Sequence, residues 1–253
     1  MDINEQIVEI KRREGKNLLI LGHHYQDPEV LRHADVVGDS LELSRNAAAN
    51  HAARRIVFCG VHFMAESAAI LGQPGQAVYM PDVGAGCPMA EMANLPEVEQ
   101  AWRDMTTAGG EWVPVVYVNS TAQIKAFCGR HGGATCTSSN AAKVFTWALK
   151  NGRRIIFLPD EHLGVNTADD LAMLSDTVMV YDPRKSNGGL TAEQLRVARL
   201  VVWKGFCHVH TNFTMEHVEY ARRKWPDAKI IVHPETPQRV VQCVDAHGST
   251  AQI

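Results

Sequence analysis

Short, β-branched apolar runs recur along the chain at residues 17–21, 55–58, 113–118, 154–158, 200–203 and 229–232. Each is short for a helix and too continuously apolar for a strand with one wet face, so each reads as a strand buried on both faces. Between them, stretches such as residues 41–53, 141–150 and 191–201 carry apolar side chains at helical spacing. Buried strands alternating with amphipathic helices predict an α/β fold of parallel sheets covered by helices. Residues 72–86 and 182–189, rich in Gly, Pro, Asp and Asn, are expected to be loops.

The residues at the end of each apolar run are chemically distinctive. The exits read Gly22-His23-His24-Tyr25-Gln26, Cys59-Gly60-Val61-His62-Phe63-Met64, Asn119-Ser120-Thr121, Pro159-Asp160-Glu161-His162, Lys204-Gly205-Phe206-Cys207-His208-Val209-His210 and His233-Pro234-Glu235. In open parallel sheets, ligands bind at the carboxyl ends of the strands, where loops and helix N-termini face a crevice. Most of the chain's histidines therefore fall where chemistry is expected.

Composition narrows the classes. With 253 residues, 45% of them hydrophobic, the chain can bury a substantial core. Its 25 Lys and Arg against 28 Asp and Glu leave no general footprint for nucleic acid or an anionic membrane, so a small-molecule partner is expected. Residues 1–15 alternate charged and apolar side chains like a surface helix, with no signal core or spanning run, which points to a cytoplasmic protein. Six cysteines, Cys59, Cys87, Cys128, Cys136, Cys207 and Cys243, are scattered through a chain too rich in core to need disulfides. Reduced thiols are expected, some of them metal ligands, although no C-x-x-C spacing is present.

Several groups suit catalysis or anion binding. Ser40 in Gly38-Asp39-Ser40-Leu41 sits where a helix begins, so its hydroxyl and the free N–H groups of a first turn suit a carboxylate or phosphate; an ordinary helix cap at Asp39 or Ser40 is the alternative. Thr137-Ser138-Ser139-Asn140 and Gly248-Ser249-Thr250 pose the same choice, and three such helix starts together favour an acidic substrate. Of His23, His24 and Tyr25, only His23 and Tyr25 face one side, because consecutive side chains diverge. His233-Pro234-Glu235 offers a base and a carboxylate fixed by proline, or else a helix-capping loop. Asp160 with Glu161 and His162 is a weaker acid–base candidate and reads first as a cap. Cys87 lies among small residues that allow close approach to the backbone, and Cys207 leaves a strand with His210 nearby in sequence; Cys59, Cys128, Cys136 and Cys243 fit buried, inert thiols better.

In order along the chain, His23-His24-Tyr25-Gln26-Asp27-Pro28-Glu29, Gly38-Asp39-Ser40-Leu41, Gly60-Val61-His62-Phe63-Met64-Ala65-Glu66, Tyr117-Val118-Asn119, Thr137-Ser138-Ser139-Asn140-Ala141, Trp203-Lys204-Gly205-Phe206-Cys207-His208-Val209-His210, His233-Pro234-Glu235 and Gly248-Ser249-Thr250 resemble the signature segments of quinolinate synthases. The resemblance implies repeated three-layer α/β/α domains with parallel sheets around a pseudo-threefold axis. The domains would span 1–100, 101–206 and 207–253, the third incomplete. It implies a 4Fe–4S cluster held by one cysteine per domain, with Cys87 and Cys207 matching two ligands and the third expected beyond Ile253. It implies condensation of iminoaspartate with dihydroxyacetone phosphate to quinolinate, in NAD biosynthesis, with the open iron as Lewis acid and an oxidase or dehydrogenase supplying iminoaspartate. Tyr25, Glu235, His23 and His233 resemble the catalytic residues. His23, Ser40, Tyr117, Asn119, Ser138, His233, Glu235, Ser249 and Thr250 resemble the substrate-binding ones, and Phe63 and Met64 an apolar wall over the cluster or plain core.

The sequence departs from the family pattern in three places: Cys243 precedes Gly248-Ser249-Thr250 and matches no ligand, Thr236 stands where a cysteine is common, and the stretch between Cys87 and Cys207 exceeds that of the shortest members, which implies the longer subtype with inserted loops. The resemblance thus reads as a C-terminally truncated quinolinate synthase. The rival readings are an incomplete α/β fragment that binds dicarboxylate or phosphate without a cluster, and a zinc hydrolase, for which no H-E-x-x-H spacing exists.

Overall fold

The computed structural model describes residues 2–250 and 252–253, and the chain divides into two compact units, Met1–Cys87 and Pro88–Ile253. In the first unit four parallel strands, β1 (Leu18–His23), β2 (Val36–Gly38), β3 (Arg55–Cys59) and β4 (Ala77–Tyr79), lie in the order β2-β1-β3-β4. They alternate with α1 (Ile3–Glu14), α2 (Pro28–Leu31), α3 (Ser40–Ala49) and α4 (His62–Leu71). Asp2 and Glu5 form a capping box that starts α1. Buried Leu43, Ala47, Phe63 and Ala68 line the faces of α3 and α4 that are turned inward.

The second unit carries a five-stranded parallel sheet in the order β6-β5-β7-β9-β8, built from β5 (Trp112–Tyr117), β6 (Ala134–Cys136), β7 (Arg154–Leu158), β8 (Val178–Tyr181) and β9 (Leu200–Trp203). A separate parallel pair, β10 (Ile231–Val232) and β11 (Ala246–His247), comes after it in the chain. The helices of this unit are α5 (Pro88–Glu91), α6 (Leu95–Thr107), α7 (Ala122–Arg130), α8 (Ala141–Ala148), α9 (Glu161–Asp170), α10 (Ala192–Val197), α11 (His208–Thr211), α12 (Met215–Lys224) and α13 (Gln238–Val241). No helix among the described residues is long and apolar enough to cross a membrane.

The two-residue period of the strands divides their side chains between two buried faces. Trp112, Val116, Ile156, Leu158, Val201 and Trp203 form one core with Val98, Met105, Ile124 and Phe127 from α6 and α7. The intervening Phe157 meets Phe145 of α8 edge-on, with ring centroids 5.1 Å apart. Val202, also on that face, packs beneath α9 at Gly164. Tyr117, one residue on from Val116, consequently faces the side covered by α8 and α9.

The structure corrects several sequence expectations. β4 lies inside the stretch expected to be a loop at 72–86, since three residues of partly exposed strand give no periodic signal. The helix expected over 191–201 stops at Val197, because Leu200 begins a buried strand; its N-terminus is fixed by a Thr191–Gln194 capping box. Strand β10 is shorter than the run at 229–232.

Gly164 sets how closely α9 approaches the sheet. A Cβ there would lie 2.5 Å from Val202 Cγ1 and 2.7 Å from Phe157 Cδ1. Both neighbours belong to the packed core, so they cannot yield without moving the strand. We expect Gly164→Ala to destabilise the protein by about 1–3 kcal/mol, read as a lowered urea midpoint at unchanged slope; an unaltered midpoint would show that α9 lies less tightly than described.

Candidate active site

Parallel strands send all their carboxyl ends to one edge, and strand order decides where that edge opens. In the five-stranded sheet the chain leaves β5 toward β6 on one side and β7 toward β8 on the other. The switch point between β5 and β7 is where a crevice forms. Tyr117 ends β5, Asp160 lies just beyond β7, and the segment 204–207 lies just beyond β9. The first unit repeats the arrangement, with its switch point between β1, which ends in His23, and β3.

At the edge in the second unit, the Tyr117 hydroxyl donates to Glu235 Oε1 at 2.6 Å, and both residues are buried. The Cys207 thiol also hydrogen-bonds the Glu235 carboxylate. Burial raises the Glu235 carboxyl to about 7, while the bonds from Tyr117 and Cys207 pull it down. Burial also drives the Asp160 carboxyl well up, with the charge of Glu235 adding to it. Two buried acids this close do not both ionise readily, and Asp160, whose Oδ2 has no partner among the described residues, is the poorer carboxylate.

His233 and His210 complete the group. Their rings stack with centroids 4.6 Å apart. Burial lowers both imidazoles, His233 to about 3, so they are neutral near pH 7. Their 3.7 and 3.8 Å approaches to the Glu235 carboxylate are therefore not ion pairs. The backbone N–H of Glu235 donates to His233 Nδ1 at 3.3 Å, which leaves the proton on Nε2, 3.2 Å from Ser138 Oγ. His23 is held in the same way, its Nδ1 accepting from the Tyr25 N–H at 3.3 Å. Burial, then the neighbouring His24, lowers His23 to about 4. Its ring lies edge-on to Tyr25 at 4.9 Å, and Tyr25 is 70% exposed.

The hydroxyl candidates divide. Ser40 is the first residue of α3 and buried, while Asp39 is the cap, accepting from the N–H groups of Leu41 and Glu42. Ser138 does not start a helix, contrary to expectation. It lies in the turn before α8, whose cap is Asn140, and reaches His233 and Tyr117 instead. Ser249 and Thr250 come directly after β11, and Gly248 N–H donates to Val232 O, so they lie beside the exit of β10. Asn119 lies two residues beyond β5 and is half-buried. Each first strand (β1, β5, β10) thus leads into His23 and Tyr25, Tyr117 and Asn119, or His233 and Glu235. Each second strand (β2, β6, β11) leads into Ser40, Ser138 or Ser249.

The cysteines also divide, and none forms a disulfide. Cys128 and Cys136 are core thiols raised by burial, Cys128 to about 12 and donating to Pro114 O, and Cys59 is raised likewise. Cys243 is exposed. Cys87 is half-buried at the end of the first unit. Cys207, raised to about 12 by burial and then by Glu235, differs in receiving the N–H groups of Val209 and His210. Its Sγ, an imidazole nitrogen of His210 and a Glu235 oxygen all lie within 4.8 Å of one another. A thiol served by two amide donors at a sheet edge fits a metal or cluster thiolate. Phe63 and Met64 are buried within the first unit, as ordinary core residues are.

Two residues gained importance only in the structure. Asp160 caps α9 through Leu163 N–H at 2.6 Å and also accepts the Cys207 N–H, while its Oδ2 is buried without a partner among the described residues. Asn166 of α9 donates to Pro234 O and Thr236 O. Asp160 was legible as a cap; Asn166 gave no signal.

Residues 5–253 match the family model described as quinolinate synthetase A protein. The chain is 48% identical to a quinolinate synthase of Acidobacterium capsulatum, over 99% of this chain and 68% of that protein. It is 50% identical to one of Streptomyces coelicolor, over 96% of the chain and 62% of the relative. It is 47% identical to one of Corynebacterium glutamicum, over 98% and 64%. It therefore spans about two thirds of the length of these relatives, and with this coverage and identity the chain belongs to the quinolinate synthase family.

Proposed function

We propose that the protein makes quinolinate from iminoaspartate and dihydroxyacetone phosphate in the cytoplasm, fed by an oxidase or dehydrogenase that produces iminoaspartate. The observation that carries this reading is the buried Tyr117–Glu235 hydrogen bond beside Cys207, in a chain of this family. Building a pyridine ring requires protons to leave carbon and water to leave the product. A carboxyl held at about 7 both takes and returns protons near neutrality. Glu235 is assigned that work, with Tyr117 orienting its Oε1. His233 presents Nε2–H to substrate, and His23 a neutral imidazole beside the exposed phenol of Tyr25, which relays protons. Ser40, Ser138, Ser249, Thr250 and Asn119 bind the carboxylates and phosphate, consistent with their places at strand exits.

A 4Fe–4S cluster held through Cys87 and Cys207 would supply a Lewis acid when bound. Domains at 1–100, 101–206 and 207–253 are part of the same proposal, supported by separate sheets in the three segments. A second reading, a single zinc ion on Cys207, His210 and Glu235, has the closeness of those donors in its favour.

Anaerobic reconstitution with iron and sulfide of the protein completed with the third cysteine expected beyond Ile253 separates these readings. We expect a broad visible charge-transfer band that is lost in Cys87→Ala and in Cys207→Ala but kept in Cys128→Ala, and quinolinate formation suppressed in Glu235→Gln with the band retained. Zinc retention without the band supports the second reading, and undiminished turnover in Glu235→Gln removes that residue from proton transfer.

His23 makes the site's cost measurable. Its folded-state value, about 4, lies below the ordinary 6.5. The unfolded chain thus takes up the proton first, and stability falls as pH drops from 6.5 toward 4. Between pH 6.5 and 5 we expect the wild type to lose on the order of 1–2 kcal/mol more stability than His23→Gln, by urea denaturation at each pH; parallel losses would mean that His23 titrates normally.

A further inference from the structure

Asn166 is buried on α9, and its side chain reaches a segment 68 and 70 residues further along the chain. Its Nδ2 donates to Pro234 O at 2.8 Å and to Thr236 O at 2.9 Å. A primary amide has two N–H donors on one nitrogen, and here both are spent on carbonyls that flank Glu235. The peptide that joins Pro234 to Glu235 and the one that joins Thr236 to Pro237 are thereby tied to one rigid helix, which brackets Glu235 and limits the directions in which its side chain can leave the backbone. The segment also turns on itself, Thr236 N–H donating to His233 O at 2.9 Å. That turn alone does not anchor it to the sheet.

The arrangement is costly. Asn166 Oδ1 is buried with no partner among the described residues, so the side chain is desolvated for the sake of its two donors. A leucine, branched at the same carbon though bulkier, would carry no such cost. At the surface of the same helix, Asp169 Oδ2 accepts from Gln238 and Gln242, in and just after α13, so the segment beyond Glu235 is held at a second, exposed place. Gly164 lets α9 sit close enough to the sheet for this reach.

We propose that Asn166 is a positioning residue for the Glu235 carboxylate: by holding the carbonyls of Pro234 and Thr236 it keeps Oε1 against the Tyr117 hydroxyl and Oε2 toward His210. The inference rests on the reading in which Glu235 moves protons. Displacing a reacting group by an ångström is enough to slow a reaction severely while leaving binding intact.

The test is a double-mutant cycle on quinolinate formation with Asn166→Leu and Glu235→Gln, alone and combined. Asn166→Leu is expected to lower kcat about 10- to 100-fold, with KM for dihydroxyacetone phosphate and the visible cluster band nearly unchanged, and the combined variant to be no slower than Glu235→Gln alone. Losses that multiply, or an unchanged kcat, would overturn the proposal. If the leucine variant fails to fold, Asn166→Ala replaces it in the same cycle. Amide exchange adds an activity-independent reading: the amides of His233, Glu235 and Thr236 should exchange faster in the variant while those of β5 and β7 do not, and uniform acceleration would indicate a merely structural role. Wild-type turnover in Glu235→Gln would sink the functional reading alone, and the local exchange would still decide whether Asn166 clamps this segment.

Discussion

A buried carboxylate with no cationic side chain to meet it constrains everything around it. Glu235 lies beside Asp160, both are buried, and among the described residues no Lys or Arg pairs with either. Their neighbours His210 and His233 are held neutral by the same burial. Charge on Glu235 is stabilised by the pair of hydrogen bonds from Tyr117 and Cys207. Such a site is poised: it accommodates one negative charge through neutral donors and keeps a second acid protonated nearby. A positively charged or electron-accepting group brought to Cys207 would relieve the burden, and the mixed donors around that thiol are placed for it.

The topology delivers this constraint. Tyr117 comes from β5, Asp160 from the exit of β7, Cys207 from the exit of β9 and Glu235 from the exit of β10. Tyr117, Asp160 and Cys207 meet because the strands of one parallel sheet end on one side, and Glu235 joins them from a separate strand pair whose exit is held by Asn166 of α9. Between them α9 acts as a bracket. Its cap, Asp160, takes the amide of Cys207, and its Asn166 takes the carbonyls on either side of Glu235. The thiol and the carboxylate are therefore referenced to one helix, and that helix is pressed to the sheet through Gly164.

Much of this was legible in the sequence, and the remainder was hidden for physical reasons. β7 and β9 were readable to the residue because central strands covered on both faces are unbroken apolar runs. The short strands β2, β4 and β6 escaped because three half-covered residues offer no period to read. Ser138 was singled out as part of a helix start, whereas its partners in the structure are His233 and Tyr117 rather than a helix terminus. His233 and Glu235 stood out as a motif at a strand exit. Asn166 did not, because a polar residue on an amphipathic helix reads as surface until the distant segment it holds is known.

The proposed chemistry depends on Glu235 being a carboxylate stabilised by neutral donors, with an elevated affinity for protons. Carbon-13 NMR titration of labelled glutamate carboxyls, with Glu235 assigned by its loss in Glu235→Gln, measures this directly in the wild type and in Tyr117→Phe. The expected result is a midpoint near 7 that moves upward when the Tyr117 hydroxyl is removed. A midpoint in the ordinary carboxylate range, indifferent to Tyr117, would contradict it.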